Sequence, residues 1–313
     1  MKKILLSIIA SVAVSTGYCQ EFPAQPVKII TSLPVGSGPD TLLRQVSDQL
    51  SKKWKVPVVI DNRPGGAGGV GLAAYTQSPA DGHTIYFSDS SVVISYPILY
   101  KNPDSIKNIK PLVPVTQNYM MLFSSVNTSD FADLKSKILK NSSFGSWGVG
   151  SAGHLAGLEL NDFLNVQQIH TPYKNFNQWF VDVSNQDVTY GYATIASSVK
   201  MVQANKIKYV AYLGSSRHPD FPGVPTLHEL TKHNFKYTTA WLAFYIHKDV
   251  SLPVSSKLEK DIREVLVSSE IQSAMATMHY RPWNATLVEF EKSVANETNA
   301  YRHLTKKHNI SVN

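Results

Sequence analysis

The first ninety residues alternate between two patterns of hydrophobic and polar positions. Short β-branched runs at 27–32, 56–61 and 81–90 are typical of buried strands. Between the first two runs, residues 41–54 carry apolar side chains at helical spacing, and a glycine-rich loop leading into a second helix follows the second run. This order of strand, helix and strand predicts a parallel sheet with helices on its faces, and therefore an α/β fold.

The later part of the chain repeats this order and then becomes helical. Residues 111–125 predict a buried strand pair or a crossover, and the apolar, aromatic run at 238–249 predicts another buried strand. The other predicted strands cover 166–173, 187–193 and 206–214, and the other predicted helices cover 130–141, about 152–164, 253–268, 270–278 and 286–308.

The length of 313 residues suggests two domains. We expect residues 21–125 together with 244–313 to form one lobe, and residues 126–243 to form the other. The connections between the lobes are expected to be strands that cross a hinge, with a cleft between the lobes.

The N-terminus predicts a secretory signal peptide over residues 1–19. Two lysines precede an apolar run at 4–14, and small residues follow at 15–17. This run is too short to span a bilayer, and nothing later in the sequence resembles a spanning helix. Cleavage is expected between residues 15 and 20, which leaves open whether Cys19, the only cysteine, stays in the mature chain. The bulky Tyr18 disfavours a lipid anchor on Cys19, so we expect an exported protein without an internal disulfide.

The charge pattern argues against a nucleic-acid partner. The formal net charge is +7, and the basic residues are scattered rather than gathered in a stripe with aromatic side chains. A mild positive balance is compatible with an anionic ligand but does not select one.

One glycine motif imitates a nucleotide-binding loop. GAGGVG at 66–71 matches the pattern of dinucleotide-binding folds, but a strand and a helix already precede it, whereas that pattern belongs to the first such unit. We interpret its glycines as allowing close packing of a strand and a helix. The chain contains no P-loop, nucleophile elbow, zinc-binding helix motif or carboxylate-rich metal loop, so no catalytic residue, metal or cofactor is predicted.

Two loops that contain glycine and serine carry the strongest functional signal. SLPVGSGPD at 32–40 leaves a strand and enters a helix, and GSWGVGSAGH at 145–154 does the same in the second half. The unpaired N–H groups and the dipole of a helix N-terminus attract anions. Two such loops facing a cleft suit a small molecule with one or two carboxylates. Each loop alone is also compatible with an ordinary turn in which serine or aspartate caps the helix.

Six blocks of sequence resemble one protein family. They are QPVKIITSLPVGSGPDTLLR (25–44), VPVVIDNRPGGAGGVGLAA (56–74), SPADGHTIYFSDSS (78–91), GSWGVGSAGHLAGLEL (145–160), HTPYKN (170–175) and SSRHPDFPGVPTLHEL (215–230). In this order, and with their Asn-Arg-Pro-Gly sequence, they resemble the Bug or TctC-type extracytoplasmic solute receptors of tripartite tricarboxylate transporters. The resemblance covers nearly all of the mature chain.

The resemblance implies a two-lobed fold like that of type II periplasmic binding proteins, with a hinge and a cleft that closes. It implies a periplasmic, monomeric receptor that binds a small organic acid without turning it over. The partner that it implies is the permease part of a membrane transporter, to which the loaded receptor is presented. A ligand-sensing subunit for a signalling protein and an exported hydrolase stay open as other functions, although no spacing supports a nucleophile–base pair.

Three groups of residues are the candidate ligand contacts. The resemblance places the ligand carboxylate on the two loops, and residues at strand ends are expected at the carboxyl edge of the sheet, where open α/β sheets bind ligands. The candidates are Pro34, Val35, Gly36, Ser37, Gly38 and Asp40 in the first loop, Ser146, Trp147, Ser151, Ala152, Gly153 and His154 in the second, and Ser88, Asp89, Ser90, Tyr173, Asn175 and Thr194 at strand ends.

Specific roles are expected for a few of these residues. The backbone N–H groups of residues 36–38 are expected to hold a ligand carboxylate, and Asp40 is expected to cap its helix. His154 either pairs locally or contacts the ligand, and Trp147 is either a lid of the cleft or a packing residue. Ser37 between two glycines, and Asn175 where the family has glycine, depart from the family pattern.

Overall fold

The computed structural model describes residues 22–140, 142–173, 175–236 and 239–310. The predicted signal peptide, its cleavage region and Cys19 lie outside the described residues. No helix within these four ranges is long and apolar enough to cross a membrane.

The strands of the described residues form one mixed sheet in the order β2-β1-β3-β9-β4-β7-β5-β6, with β8 beside β4. Their bounds are β1 (Val27–Thr31), β2 (Val58–Asn62), β3 (Thr84–Asp89), β4 (Ile109–Ser125), β5 (Ser143–Ser146), β6 (Ile169–Pro172), β7 (Tyr190–Thr194), β8 (Ile207–Tyr212) and β9 (Thr239–His247). β1, β2 and β3 run parallel, as predicted, and β5 runs parallel to β6 and β7.

Helices cover both faces of this sheet. Their bounds are α1 (Gly38–Trp54), α2 (Gly69–Thr76), α3 (Tyr96–Leu99), α4 (Phe131–Leu139), α5 (Ala152–Leu164), α6 (Phe176–Asn185), α7 (Ile195–Gln203), α8 (Leu227–Thr231), α9 (Leu252–Leu266), α10 (Ser269–Thr277) and α11 (Leu287–Lys307). The predicted helices α1, α2, α4, α5 and α9 to α11 are confirmed, whereas α3 and α6 to α8 were not predicted. The α/β class is confirmed.

The segment 111–125, predicted as a strand pair or a crossover, is part of the single long strand β4. Pro111 and Pro114 lack the N–H that a ladder needs, and the register with β9 shifts immediately after each of them. Because the strand continues through both irregularities, the prolines bend β4 without ending it.

β4 connects the two halves of the sheet. Residues 109–119 pair with β9, which in turn pairs with β3, while residues 120–125 pair with β7 and β8. The division of the chain into lobes at 125/126 and 243/244 stays a prediction, and the sheet itself changes partners along β4 between residues 119 and 120.

Two glycines of the second half make room for one tryptophan. Trp179 on α6 is fully buried, and a Cβ on Gly145 of β5 or on Gly191 of β7 would overlap its indole. Gly145 therefore serves close packing of helix on sheet.

Candidate functional site

The carboxyl ends of the parallel strands converge on the middle of β4. Asp89, the last residue of β3, is level with Leu242 of β9, which pairs with Thr116 of β4. Thr194, the last residue of β7, pairs with Met120 of β4 and approaches from the opposite side. Four residues of extended chain span about 13 Å. This spacing separates the ends of β3 and β7, and the expectation that the loops after β1 and β5 face each other across a cleft stays a prediction.

Loop 1 (residues 32–37) ends on a serine that caps α1. Ser37 has extended φ and ψ of −67° and 160°, and its Oγ accepts the N–H of Asp40 at 3.3 Å. Gly36, with φ of 75°, donates its N–H to the Asp40 carboxylate at 2.8 Å. The loop is thus closed onto the first turn of its helix.

Loop 2 (residues 147–151) repeats the same arrangement at the start of α5. Ser151 has φ and ψ of −68° and 160°, and its Oγ accepts the N–H of His154 at 3.3 Å. Gly150, with φ of 76°, donates its N–H to Nδ1 of His154 at 2.9 Å. The two loops are therefore one motif used twice, with aspartate in one and histidine in the other as the side chain that holds the glycine.

This motif decides which backbone groups remain for a ligand. The N–H groups of Gly36 and Gly150 are committed to side chains of the same loop. A helix offers no intrahelical acceptor to its first amides. At α1 the first-turn donor that remains is the Gly38 amide, because Pro39 has no N–H and the Asp40 N–H donates to Ser37. At α5 the amides of Ala152 and Gly153 remain, because the His154 N–H donates to Ser151.

Asp40 organises loop 1 from a fully buried position. Its carboxylate accepts hydrogen bonds from Asn62 Nδ2 at 2.8 Å and from Arg44 at 3.0 and 3.2 Å, in addition to Gly36. Burial acts to raise the pKa of Asp40, but the hydrogen bonds from Asn62, Gly36 and Arg44 outweigh it and hold the pKa below its usual value. The expectation that Asp40 caps α1 is corrected: Ser37 is the N-cap, and Asp40, the third residue of the helix, reaches back to hold loop 1.

Asn62, the first residue of the Asn-Arg-Pro-Gly block, has a structural role in holding loop 1. Its side-chain amide also donates to the Leu33 carbonyl at 3.0 Å, so the end of β2 holds loop 1. In the glycine motif that follows, a Cβ on Gly71 would stand 3.2 Å from the backbone of Ser32. The glycines of this motif do allow close packing, but against loop 1, Val92 and Tyr96 rather than against a strand.

His154 and His170 form a neutral stacked pair behind loop 2. Their ring centroids are 3.8 Å apart, and Nε2 of His170 lies 2.7 Å from Oγ of Ser146. Burial lowers the pKa of His154 to about 3, with further lowering from His170 and His308, and burial lowers the pKa of His170 to about 4. Both rings are therefore uncharged at neutral pH.

Ser146, the last residue of β5, is fully buried beside loop 2. Its hydroxyl lies 2.9 Å from the Gly148 carbonyl and accepts the Ser151 hydroxyl at 3.1 Å, besides its contact with His170. These contacts shape the turn around residues 146–151.

The end of β3 supplies polar groups to the same edge. Ser88 is fully buried, with its Oγ 3.2 Å from that of Ser32. Asp89 accepts the backbone N–H of Ser91 at 3.1 Å and also the Ser91 hydroxyl, and so caps the helical turn that begins at Ser90. Burial raises the pKa of Asp89, and the bonds from Ser91 offset this only in part.

The candidates at the ends of β6 and β7 have partners of their own. Tyr173 donates its hydroxyl to Asp182 at 2.6 Å, and Asn175 caps α6 by accepting the N–H of Asn177 at 2.9 Å. Thr194 is half-buried, with Oγ1 2.8 Å from Oγ of Ser197. Thr194 and Ser197 together place two hydroxyls at the edge beside Met120.

The apolar candidates differ in exposure. Pro34 and Val35 are exposed at the tip of loop 1. Trp147 is half-buried, and its ring stacks on Phe176 with centroids 6.5 Å apart and planes at 17°.

Four residues near the loops were missed by the sequence analysis. Ser32 lies 2.5 Å from the Tyr86 hydroxyl under loop 1, and His170 supports loop 2. Tyr280 reaches Gly38, where a Cβ would stand 2.9 Å from its hydroxyl, and Tyr301 packs on Gly150. Distance along the chain hides the two tyrosines, because nothing local marks residue 280 or 301 as a neighbour of these loops.

Other features of the described residues offer weaker sites. A cavity of about 240 Å³ lies away from the loops, between α5 and α11, and is lined by Glu159, Phe163, His233 and His303 among others. Its mixture of acidic and basic groups selects no anion, and the Glu159 carboxylate already accepts the Lys236 N–H. Within the described ranges, no three His, Cys, Asp or Glu side chains are grouped so as to hold a metal.

Gly150→Ala is expected to destabilise the protein more than Gly148→Ala. Both glycines have positive φ, 76° and 143°, so alanine is strained at either position. A Cβ on Gly150 would overlap Leu99 and Tyr301, whereas one on Gly148 meets nothing within 4 Å. We expect the Gly150 variant to lose about 1 kcal/mol more unfolding free energy in urea titrations. Equal losses would contradict the packing of loop 2 on α3 and α11.

Sequence comparison identifies the family. A profile described as "Tripartite tricarboxylate transporter family receptor", the TctC family, matches residues 42–310. The chain belongs to this family. A UPF0065 protein of Bordetella pertussis is 24% identical to it over 301 residues, which cover 94% of this chain and 93% of that protein. The predicted resemblance is confirmed, and the chain is a solute-binding receptor of the TctC type.

Solved structures agree on the fold. The periplasmic binding protein BugD matches with a TM-score of 0.78 at 22% identity, covering 93% of this chain and 99% of BugD. The R. palustris protein Rpa4515, solved with adipate, matches with a TM-score of 0.81 at 20% identity, covering 93% and 99%. The periplasmic-binding-protein fold expected from the sequence is confirmed.

Proposed function

We propose that this TctC receptor captures a small carboxylate between loop 1 and loop 2 and presents it to the permease of a membrane transporter. The observation that carries the proposal is the repeated motif: two helix starts, one in each half of the sheet, are capped by serine and stiffened in the same way. We propose that they face each other across the middle of β4. Helix starts of this kind favour negative charge.

The donors left by the motif suit a carboxylate. The amides of Gly38, Ala152 and Gly153 and the hydroxyl of Ser37 can donate to an anion without a cationic side chain. Rpa4515, which shares the fold, was solved with adipate, a molecule with a carboxylate at each end. A ligand that reaches both loops would bind one helix start with each end, or one start alone if it has a single carboxylate.

Binding is proposed to close two lobes on each other. The lobes are residues 21–125 with 244–313, and residues 126–243, and β4 provides the hinge between them. A ligand that contacts both loops only in the closed form shifts the equilibrium toward that form. The closed form of a monomeric, exported receptor in the periplasm is then the species that the permease recognises.

We propose that the receptor does not turn its ligand over. The contact of 2.7 Å between Ser146 Oγ and His170 Nε2 has the geometry of a nucleophile–base pair. However, Ser146 is fully buried, and burial lowers the pKa of His170 to about 4, which makes it a weak base. Incubation of the purified protein with bound carboxylate is expected to leave the carboxylate unconsumed.

Thermal unfolding tests the carboxylate class directly. The mature protein is screened against mono-, di- and tricarboxylates, each paired with its uncharged amide. A ligand present at a hundred times its Kd adds about 2.7 kcal/mol of stability, so carboxylates should raise Tm and their amides should not. Equal shifts with an acid and its amide, or shifts with amides alone, would contradict the proposal.

Serine caps provide the matched variants for this test. Ser37→Ala and Ser151→Ala each remove the cap at one loop. The control is Ser268→Ala, which removes a cap of the same kind from α10, because the Oγ of Ser268 accepts the Ile271 N–H. Each is expected to cost about 1 kcal/mol of stability. Only the two loop variants should also weaken carboxylate binding.

A further inference from the structure

Trp147 lies across the first turn of α5. A Cβ on Gly153 would stand 2.8 Å from Cζ3 of Trp147 and 3.1 Å from the Tyr192 carbonyl oxygen, so the glycine leaves the space that the indole fills. Gly153 belongs to the same turn whose amides are the proposed carboxylate donors. An apolar ring therefore borders the anion site directly.

Phe176 extends this apolar surface. It begins α6 beside the end of β6, it is 38% exposed, and its ring stacks on Trp147 at 6.5 Å. Trp179, which is fully buried, lies 5.8 Å from Phe176 and 6.5 Å from Trp147 and supports both rings from behind. The stacked pair of Trp147 and Phe176 is named the aromatic wall.

The tips of both loops are apolar as well. Val35 in loop 1 is 69% exposed, and Val149 in loop 2 is 38% exposed. Single exposed apolar side chains are ordinary, but an apolar cluster around a cleft marks a surface that is covered on binding. Burying these side chains against an apolar ligand body is favourable, since the gain scales with the apolar area removed from water.

The electrostatics point to a ligand with few charges. Neither loop contains Lys or Arg, and the pKa of His154, lowered by burial to about 3, leaves that ring neutral. Neutral amides and hydroxyls can compensate one carboxylate at each helix start. Hydroxyl or carboxylate groups of a ligand that lie against the rings of Trp147 and Phe176 would lose water without gaining a partner from those rings.

We propose that this receptor selects carboxylates whose body is aromatic or aliphatic, with the body lying on the aromatic wall and between Val35 and Val149. The inference rests on the proposed carboxylate receptor and adds the side chains that choose among carboxylates. Hydroxylated di- and tricarboxylates are the class that the wall disfavours.

Calorimetry with six probes tests this selection. Benzoate, hexanoate and adipate have apolar bodies, whereas malate, tartrate and citrate carry hydroxyl groups between their carboxylates. The first three are expected to include the tightest ligand, by at least about tenfold over the hydroxylated set. Trp147→Ala and Phe176→Ala are each expected to weaken that ligand by about tenfold, which is the value of one aromatic contact.

Phe163→Ala is the matched control, because Phe163 has the same 38% exposure as Phe176 but lines the cavity beside α11. The Phe163→Ala variant should bind the tightest ligand with the affinity of the native protein. If a hydroxylated acid binds tightest and both wall variants keep its affinity, the inference is overturned and the carboxylate receptor stands. If no probe binds the folded protein, the proposed function itself fails.

Discussion

Replacing Asp40 with alanine is expected to lower the free energy of unfolding by about 3 kcal/mol and to abolish carboxylate binding at loop 1. The buried carboxylate holds the N–H of Gly36, the amide of Asn62 and the guanidinium of Arg44. Its removal takes the acceptor from the Gly36 N–H and leaves the Asn62 amide with the Leu33 carbonyl alone, so loop 1 loses the group that joins it to α1 and β2. Arg44 is half-exposed and can be hydrated, which keeps the loss at the low end for a broken buried ion pair. Urea unfolding measures the loss.

Asp133 provides a matched control on the surface. It occupies the same position in α4 as Asp40 in α1: it accepts the N–H of Ser129 at 2.9 Å, and it pairs with a basic residue four positions later, Lys137, at 3.1 Å. Asp133→Ala removes the same type of contact where water can replace it, so its effect should be much smaller. Similar losses for the two variants would mean that burial of Asp40 contributes nothing to loop 1.

The strand and helix order was predictable because each element carries its own signal. α1 has apolar residues at helical spacing, and β1 is a short β-branched run that a glycine loop ends. α6 was missed although Trp179, Phe180 and Val183 lie on one helical face and Asn175 is a good cap. The short β5 was hidden because its glycine and serine resemble those of the loop that follows.

The continuity of β4 could not be predicted from its local sequence. Residues 111–125 suggested a strand pair or a crossover, whereas pairing with β9 over residues 109–119 carries one continuous strand through two register shifts. Pairing partners more than a hundred residues away decide such cases, as β9 does here.

The site was predictable at the level of loops and less so at the level of atoms. Glycine and serine before a helix mark loops 1 and 2 without further information. The expectation that the Gly36 amide holds a ligand is untested, and in the structure that N–H donates to Asp40. The supporting residues His170 and Asn62 come from other strands, so their role depends on the sheet order and not on any motif around them.

Acidification is expected to remove stability through His154. Its folded pKa of about 3 lies below the ordinary value of 6.5, because burial disfavours the charged ring. The unfolded chain therefore binds a proton that the folded chain does not, and this contribution to stability is complete above pH 6.5 and is lost as the pH falls toward the folded pKa. At pH 5 the loss amounts to about 2 kcal/mol. His170, whose pKa is lowered by burial to about 4, adds a loss of nearly the same size at pH 5 in the same direction.

Urea titrations at pH 7 and pH 5 isolate this contribution when His154→Asn is compared with the native protein. Asparagine can still accept the Gly150 N–H but does not titrate, so the variant should lose less stability on acidification. The comparison is needed because Glu297 acts in the opposite sense: burial raises its pKa to about 7 despite the hydrogen bond from Trp241, so its folded form gains stability as it is protonated. His303→Asn changes an exposed histidine and should follow the native protein at both pH values. A His154→Asn variant that follows the native protein equally closely would contradict the buried neutral ring, because every other titrating group is common to the two proteins.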